Sequence, residues 1–354
     1  MSRIWNRLSR QIPPVLIILS ILVATGCHDE HQPIHHSRFL AFGTLVDLDI
    51  VGADRKTAEQ ASAAIQADFN AMHQAWHAWD PGPLKRVNLL IQKGEQFSVP
   101  PSVQPLIEQS SLLSAQSNHL FNPAIGHLID LWGFQKSPEQ WKPPQQAAID
   151  KLLTTNPRMS DLQLDDILLQ SSNPSVKLDF GAFGKGYGID LAIEHLRELG
   201  IQSAILNSGG DLRAIGNRDG RPWRIAIRRS SGHGVFAMVE VDGDESVFTS
   251  GDYERNFTYE GRLYHHIVDP RTGYPATKSH SVTVIHQNAA TADAAATALF
   301  IAGPDEWHEI AQAMGIKFVL LVGSDDRIHM NPAMQKRVIL VDENHQEIVV
   351  SKPL

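Results

Sequence analysis

From position 46 onward, apolar Val46, Leu48 and Ile50 alternate with Asp47 and Asp49, the two-residue period of a strand with one wet face. The period then lengthens. Ala61, Ile65, Phe69, Met72 and Trp76 recur at spacings of three and four, which predicts a helix with a core-facing stripe. The spacing predicts a second helix over 103–116 and a short third one carrying Ile125, Leu128 and Trp132, before a Pro-rich loop at 137–144. The middle of the chain opens on an apolar strand, 176–180, followed by a glycine-rich turn. A helix comes next, with Ile189, Ile193, Leu196 and Leu199 on one face and Gly200 as its stop. Strands follow at 204–206, 223–227, 235–241 and 281–285, then helices at 291–301 and 305–314, the second closed by Gly315. Strands near 317–322, 326–330 and 337–341 complete the pattern. Strand runs mixed with helices in this order predict an α+β fold with largely antiparallel sheets.

Composition narrows the class. A chain of 354 residues could hold two domains or one large one, and 42% hydrophobic against 20% charged residues with no repeats marks an ordinary globular protein. The formal net charge is -8, and loss of residues 1–26, which hold three arginines and no acid, would take it to -11. That balance speaks against a nucleic-acid partner.

The amino-terminal segment explains the single cysteine. Arg3, Arg7 and Arg10 precede an apolar run at 15–23, too short for a permanent membrane helix, and this is the form of a secretory signal. Its small-residue end, Ala24-Thr25-Gly26, meets Cys27 and resembles the bacterial lipobox, in which the cysteine is acylated (palmitate being one such chain) and becomes the new amino terminus. The organisation expected is therefore a lipoprotein signal peptide at 1–26, a flexible tether at 27–38 and a catalytic domain at 39–345. His28, His31, His35 and His36 of the tether are read as solvated, since nothing around them fixes a ligand geometry. With no second cysteine, no disulfide supports the fold.

Five segments carry more polar and glycine detail than a fold requires. Leu178 to Gly188, LDFGAFGKGYG, places glycines and Lys185 where an extended run gives way to a helix. Such a helix start is either a tight structural turn or a place where backbone amides and a lysine cradle phosphate. Asn207-Ser208-Gly209-Gly210-Asp211 is a turn or a point of close backbone approach. Thr249 to Arg255 and Tyr264 to Gly273 bring hydroxyls, acids and paired histidines to loop positions. On a strand, His265 and His266 would face opposite ways. Asp293 and Thr297, four apart on a helix, are either a helix cap and its neighbour or two oxygen ligands for a hard cation.

The order of these segments resembles the ApbE family, the FAD:protein FMN transferases, over about residues 40–325. The resemblance rests on Gly43-Thr44, LDFGAFGKGYGID, NSGGD, TSGDYER, HHIVDPRTG and TADAAATALF. It implies that Asp179 and Lys185 contact FAD, that the carbonyl of Ala182 joins Asp293 and Thr297 around Mg²⁺, and that His266 and Ile267 line the flavin site with Gly209, Gly210, Ser250 and Gly251 nearby. Two positions depart from the family pattern: Phe42 replaces a methionine, and Asn122 in Phe121-Asn122-Pro123 replaces an aspartate.

The activity so implied is Mg²⁺-dependent transfer of FMN from FAD to a threonine or serine of a membrane redox subunit, with release of AMP. It would occur in two lobes with the flavin between them, on the periplasmic face of the inner membrane or, failing that, of the outer one. His266 is the expected general base because an imidazole titrates near working pH, with Asp252 or Asp269 as substitutes. Two other readings stay open: an FAD pyrophosphatase yielding FMN and AMP, and a flavin-binding lipoprotein without turnover.

Overall fold

Alternation becomes pairing at the start of the chain. The computed structural model describes residues 32–230, 234–341 and 347–354, so the signal segment, Cys27 and the first part of the tether lie outside the described residues. Strands β1 (Ile34–Ala41) and β2 (Thr44–Val51) form a hairpin. It is followed by α1 (Arg55–Trp76), capped by the Asp54 carboxylate on the amides of Lys56 and Thr57. Next come α2 (Pro83–Ile91), β3 (Phe97–Ser98), α3 (Gln104–Gln116), α4 (Gly126–Trp132), α5 (Gln146–Thr155), β4 (Leu162–Asp165), β5 (Leu168–Ser171) and α6 (Gly184–Glu198). A long β region follows: β6 (Ser203–Ser208), β7 (Asp211–Ile215), β8 (Trp223–Arg228), β9 (Val235–Val241), β10 (Glu245–Gly251), β11 (Asn256–Tyr259), β12 (Arg262–His265) and β13 (Ser279–His286). The chain closes with α7 (Ala289–Ala313), β14 (Phe318–Gly323), β15 (Ile328–Met330), α8 (Pro332–Gln335), β16 (Val338–Leu340) and β17 (Ile348–Val350).

The fold is α+β, as expected. Nine strands join in one sheet in the order β1-β2-β6-β7-β10-β13-β14-β15-β17, antiparallel at every pair except β15–β17, and β16-β9-β8 form a smaller sheet. Helices α1, α6 and α7 cover one face of the large sheet and share with it the main hydrophobic core, in which Phe69, Phe183, Phe248 and Phe300 are buried. The other face packs on β8 and β9 around Trp223, Phe236 and Val239. A third cluster, Trp132, Phe134, Tyr264 and their neighbours, joins α4 to the β11–β12 hairpin.

Several boundaries depart from the sequence reading. Residues 34–38, expected as tether, are already β1. Polar His36 and Arg38 hide the strand period, and they are held there by cross-strand ion pairs to Asp49 and Asp47. The fold also extends past 345, since β17 pairs with β15. The run 176–180 buries Val176, Leu178 and Phe180 in alternation yet joins no sheet. Its amides bond to the carbonyls of Pro123 and Ala124, and the Asn88 side chain pairs with both backbone groups of Leu178 as a peptide would. The helices expected at 291–301 and 305–314 are both present, as the two arms of the element α7. It breaks at Gly303, with φ +69, ahead of Pro304. Helices α2 and α5, with short stripes, escaped the periodicity.

Candidate active site

The site lies where three turns end at the same edge of the large sheet. In the β1–β2 hairpin both turn residues, Phe42 and Gly43, have positive φ (51° and 73°), as do Gly209 and Gly210 (68° and 105°) in the β6–β7 hairpin. Phe42 is a bulky residue in a conformation that favours glycine. Packing holds it there, its ring stacked at 6.0 Å and 6° on Trp76 and against Phe69. Gly209 brings the two turns together, because a Cβ on it would stand 2.6 Å from the Thr44 hydroxyl. The third turn follows β10, whose Thr249 amide donates to the Asp211 carboxylate at 2.8 Å.

Helices α6 and α7 approach this edge with their amino-terminal turns crossing. Gly186 makes the approach possible: a Cβ there would meet the Ala289 carbonyl oxygen at 2.4 Å and the Asp293 Cβ at 2.9 Å. Each helix then receives a carboxylate from the other. Asp293 of α7 accepts from the Gly186 amide at 2.9 Å, and Asp190 of α6 accepts from the amides of Ala289 and Ala290 at 2.8 and 2.9 Å. Asp190 also takes an ion pair from Arg213, which in turn binds Asp244. On the site side, Lys185 forms an ion pair with Asp211, and the Ser250 and Thr297 hydroxyls lie 3.4 Å apart.

Burial sets the charges. It pushes the Asp293 carboxyl up to about 7, against the pull of Lys185 and with the push of Asp211. It alone would lower Lys185, yet Asp211 and Asp293 hold that ammonium above its ordinary value. Asp179 is raised by burial, although its carboxylate caps the Gly181 amide at 2.8 Å. His266 is driven down to about 3, by burial first and then by Arg255, and its Nδ1 is shut off from solvent without a partner. The neighbouring His265 is fully engaged, with Nε2 on the Ala276 carbonyl and Nδ1 on the Ile267 amide. The two histidines differ as strand alternation requires.

A family model matches residues 42–320, and its description is the ApbE family. This chain belongs to that family. An FAD:protein FMN transferase of Rhodobacter capsulatus is 40% identical over 304 residues, covering 86% of this chain and 58% of that protein. One from Vibrio cholerae is 28% identical over 323 residues, covering 88% of this chain and 94% of that one. Among solved structures, the ApbE protein of Thermotoga maritima aligns with a TM-score of 0.79 at 28% identity, covering 86% of this chain and 99% of that one. The apo flavinyl transferase ApbE of Pseudomonas stutzeri aligns at 0.72 with 29% identity, covering 83% and 92%.

Within this ApbE fold, the sequence-predicted residues do not all converge. Lys185, Asp293, Thr297 and Ser250 come together, and the carbonyl-bearing turn at Ala182 leads directly into α6 beside them. Gly209, Gly210 and Gly251 form the surrounding turns. The Cβ that Gly251 lacks would strike the Tyr253 ring at 2.4 Å. Ile267 is buried in the main core. Phe42 lies against α6, 3.3 Å from where a Gly188 Cβ would be. Asn122 is engaged by its own surroundings, its amide donating to the Pro157 carbonyl and its oxygen accepting from the Ala124 amide, and so braces its loop.

Asp211 and Asp190 were missed by sequence reasoning. The signal for both was their place at the ends of the quoted motifs, Asp211 closing NSGGD where β7 begins and Asp190 closing LDFGAFGKGYGID on α6. Among the described residues no three His, Cys, Asp or Glu side chains cluster to hold a metal. A cation at Asp293 would take one carboxylate with hydroxyl and carbonyl oxygens. That donor set suits Mg²⁺, which keeps waters and substrate phosphates as its remaining ligands.

Proposed function

We propose that this chain is an FAD:protein FMN transferase that joins the FMN half of FAD to a threonine or serine hydroxyl of an acceptor protein and releases AMP. The observation that carries the reading is the meeting of Lys185, Asp211 and Asp293 where α6 and α7 start, beside a histidine nitrogen with no protein partner. The acceptor oxygen attacks the FMN phosphorus, the bond from that phosphorus to the bridging oxygen breaks, and AMP leaves with the electron pair. His266 takes the hydroxyl proton at Nδ1. Burial and Arg255 keep that imidazole unprotonated, which leaves Nδ1 open to the hydroxyl proton, but they make it a weaker base than an ordinary imidazole, so the expected titration near working pH does not hold. The candidate acids are engaged elsewhere, Asp252 with His280 at 2.6 Å and Asp269 with Arg271 at 2.9 Å, which favours the histidine. Lys185 answers phosphate charge, since the Gly186, Ala289 and Ala290 amides at the helix starts are already taken by Asp293 and Asp190. Asp293 and Thr297, with the Ala182 carbonyl, would hold Mg²⁺, which when bound neutralises phosphate charge.

The test is to incubate the protein with FAD, Mg²⁺ and a redox subunit bearing a flavinylation threonine, then to read that subunit's intact mass. A gain equal to FMN with AMP released is the expected result. Free FMN and AMP without labelled acceptor would make the protein a pyrophosphatase, and unchanged FAD a binding protein.

We place the protein on the periplasmic face of a bacterial membrane, the inner one or else the outer, anchored by acyl chains on Cys27, with membrane redox subunits as acceptors. The basic lead, apolar run and single cysteine support this reading. Cys27→Ser should abolish palmitate incorporation and release the protein from the membrane fraction; retention of both would overturn the anchor.

A further inference from the structure

Arg255 ends the TSGDYER segment and has no part in the chemistry so far. Its backbone carbonyl accepts from the His266 amide at 3.1 Å, which fixes the two residues opposite each other where the β11–β12 hairpin leaves the site. Its guanidinium reaches across to the β1–β2 turn, with Nη2 3.4 Å from the Cβ position of Gly43. Its charge is felt at both Asp179 and His266. The residue is exposed, and among the described residues neither an ion pair nor a side-chain hydrogen bond ties its guanidinium to the fold, whereas Arg213, Arg271 and Arg337 each pair with carboxylates.

Charge balance gives this arginine a purpose. Lys185, the cation at the helix starts, is already paired with Asp211 and faces Asp293, so the protein itself answers its charge. Asp179 adds a further acid at the same edge. A pyrophosphate brings two negative charges to a place whose own lysine is balanced. Arg255 is the cation there with five donors unclaimed, in the planar fork that matches phosphate oxygens. The lack of a side chain at Gly43 leaves the guanidinium room over the turn.

We infer that Arg255 binds the pyrophosphate of FAD, closing over the β1–β2 turn from the side opposite Lys185. This inference rests on the transferase reading above, and it makes Arg255 a binding residue that acts through substrate affinity.

Flavin fluorescence and calorimetry on the intact protein would test it, using FAD, ADP and riboflavin as probes for wild type, Arg255→Gln and Arg255→Lys. Arg255→Gln should raise the Kd for FAD and ADP about 10-fold to 100-fold, the range of a lost charge-assisted contact. Its Kd for riboflavin, which has no phosphate, and its Tm should stay at the wild-type values. Arg255→Lys should fall between, keeping the charge and losing the fork. Equal weakening of riboflavin and FAD, or unchanged FAD and ADP binding in Arg255→Gln, would overturn the inference. Failure of the wild type to bind FAD at all would instead remove the transferase reading on which it rests.

Discussion

Asp190 and Asp293 are two buried carboxylates on the same helix crossing, and each caps the helix that the other belongs to. Asp190 has both oxygens on backbone amides and an arginine beside it. Asp293 has one amide and a hydroxyl-bearing neighbour one turn along; burial raises the proton affinity of both carboxylates, that of Asp293 to about 7. The first is a satisfied group whose removal harms the fold. The second is held short of partners in a place where a cation and a phosphate could supply them. The difference between a structural and a chemical carboxylate is thus read from the bonds each one lacks.

Breaking the comparison at Asp293 should have the largest effect. Asp293→Asn keeps the shape and can still accept from Gly186, so the stability at pH 8 should match or exceed wild type, while FMN transfer falls by about 10³-fold or more. Denaturant unfolding and acceptor mass report the two quantities, and a destabilised variant would show that Asp293 serves the fold. Asp190→Ala should do the converse. It leaves two helix-start amides without an acceptor and Arg213 with Asp244 as its close carboxylate partner, and should cost about 2–5 kcal/mol of unfolding free energy. A loss below about 1 kcal/mol would show that Asp190 is dispensable.

The crossing itself is sharpened by Gly186→Ala. The added methyl meets the Ala289 carbonyl and Asp293 from α7, backbone that cannot rotate aside, so the helices must part. We expect about 1–3 kcal/mol of lost stability together with weakened Mg²⁺ dependence of transfer, a joint loss that neither aspartate variant shows. Unchanged values in both would mean the helices yield freely.

His266 affects folding only as the pH falls. The unfolded imidazole takes up a proton near pH 6.5, and the folded one refuses it until about pH 3. The folded pKa is depressed, so the stability it supports is complete above pH 6.5 and is lost as pH falls toward 3. His266→Gln should flatten the fall of unfolding free energy across that window relative to wild type, and parallel curves would place His266 elsewhere in the titration.

Much of this was legible before the structure, and the limits have physical causes. The α+β class and helices α1, α3, α6 and α7 were visible because each presents a long apolar stripe to one core. β1 was not, since this edge strand carries polar His36 and Arg38 over most of its length and buries only Phe39 and Ala41 near its end, too short a run to show a period. The run at 176–180 carried strand alternation, and its actual partner, the amide of Asn88, is ninety residues away and leaves no periodic trace. The glycine-rich motifs at 209–210 and 251 fall on turns or strand ends at one end of the large sheet. What they could not give was pairing: that Asp211 answers Lys185, that Asn122 braces a loop, or that Asp190 mirrors Asp293.

The most direct test of this account is the rate of FMN transfer per folded molecule, measured side by side for Asp190→Asn and Asp293→Asn under conditions where both are folded. The account predicts that Asp190→Asn stays within about tenfold of wild type while Asp293→Asn falls to background. Transfer retained by Asp293→Asn, or an equal loss in both, would contradict the division of one carboxylate for the fold and one for the chemistry.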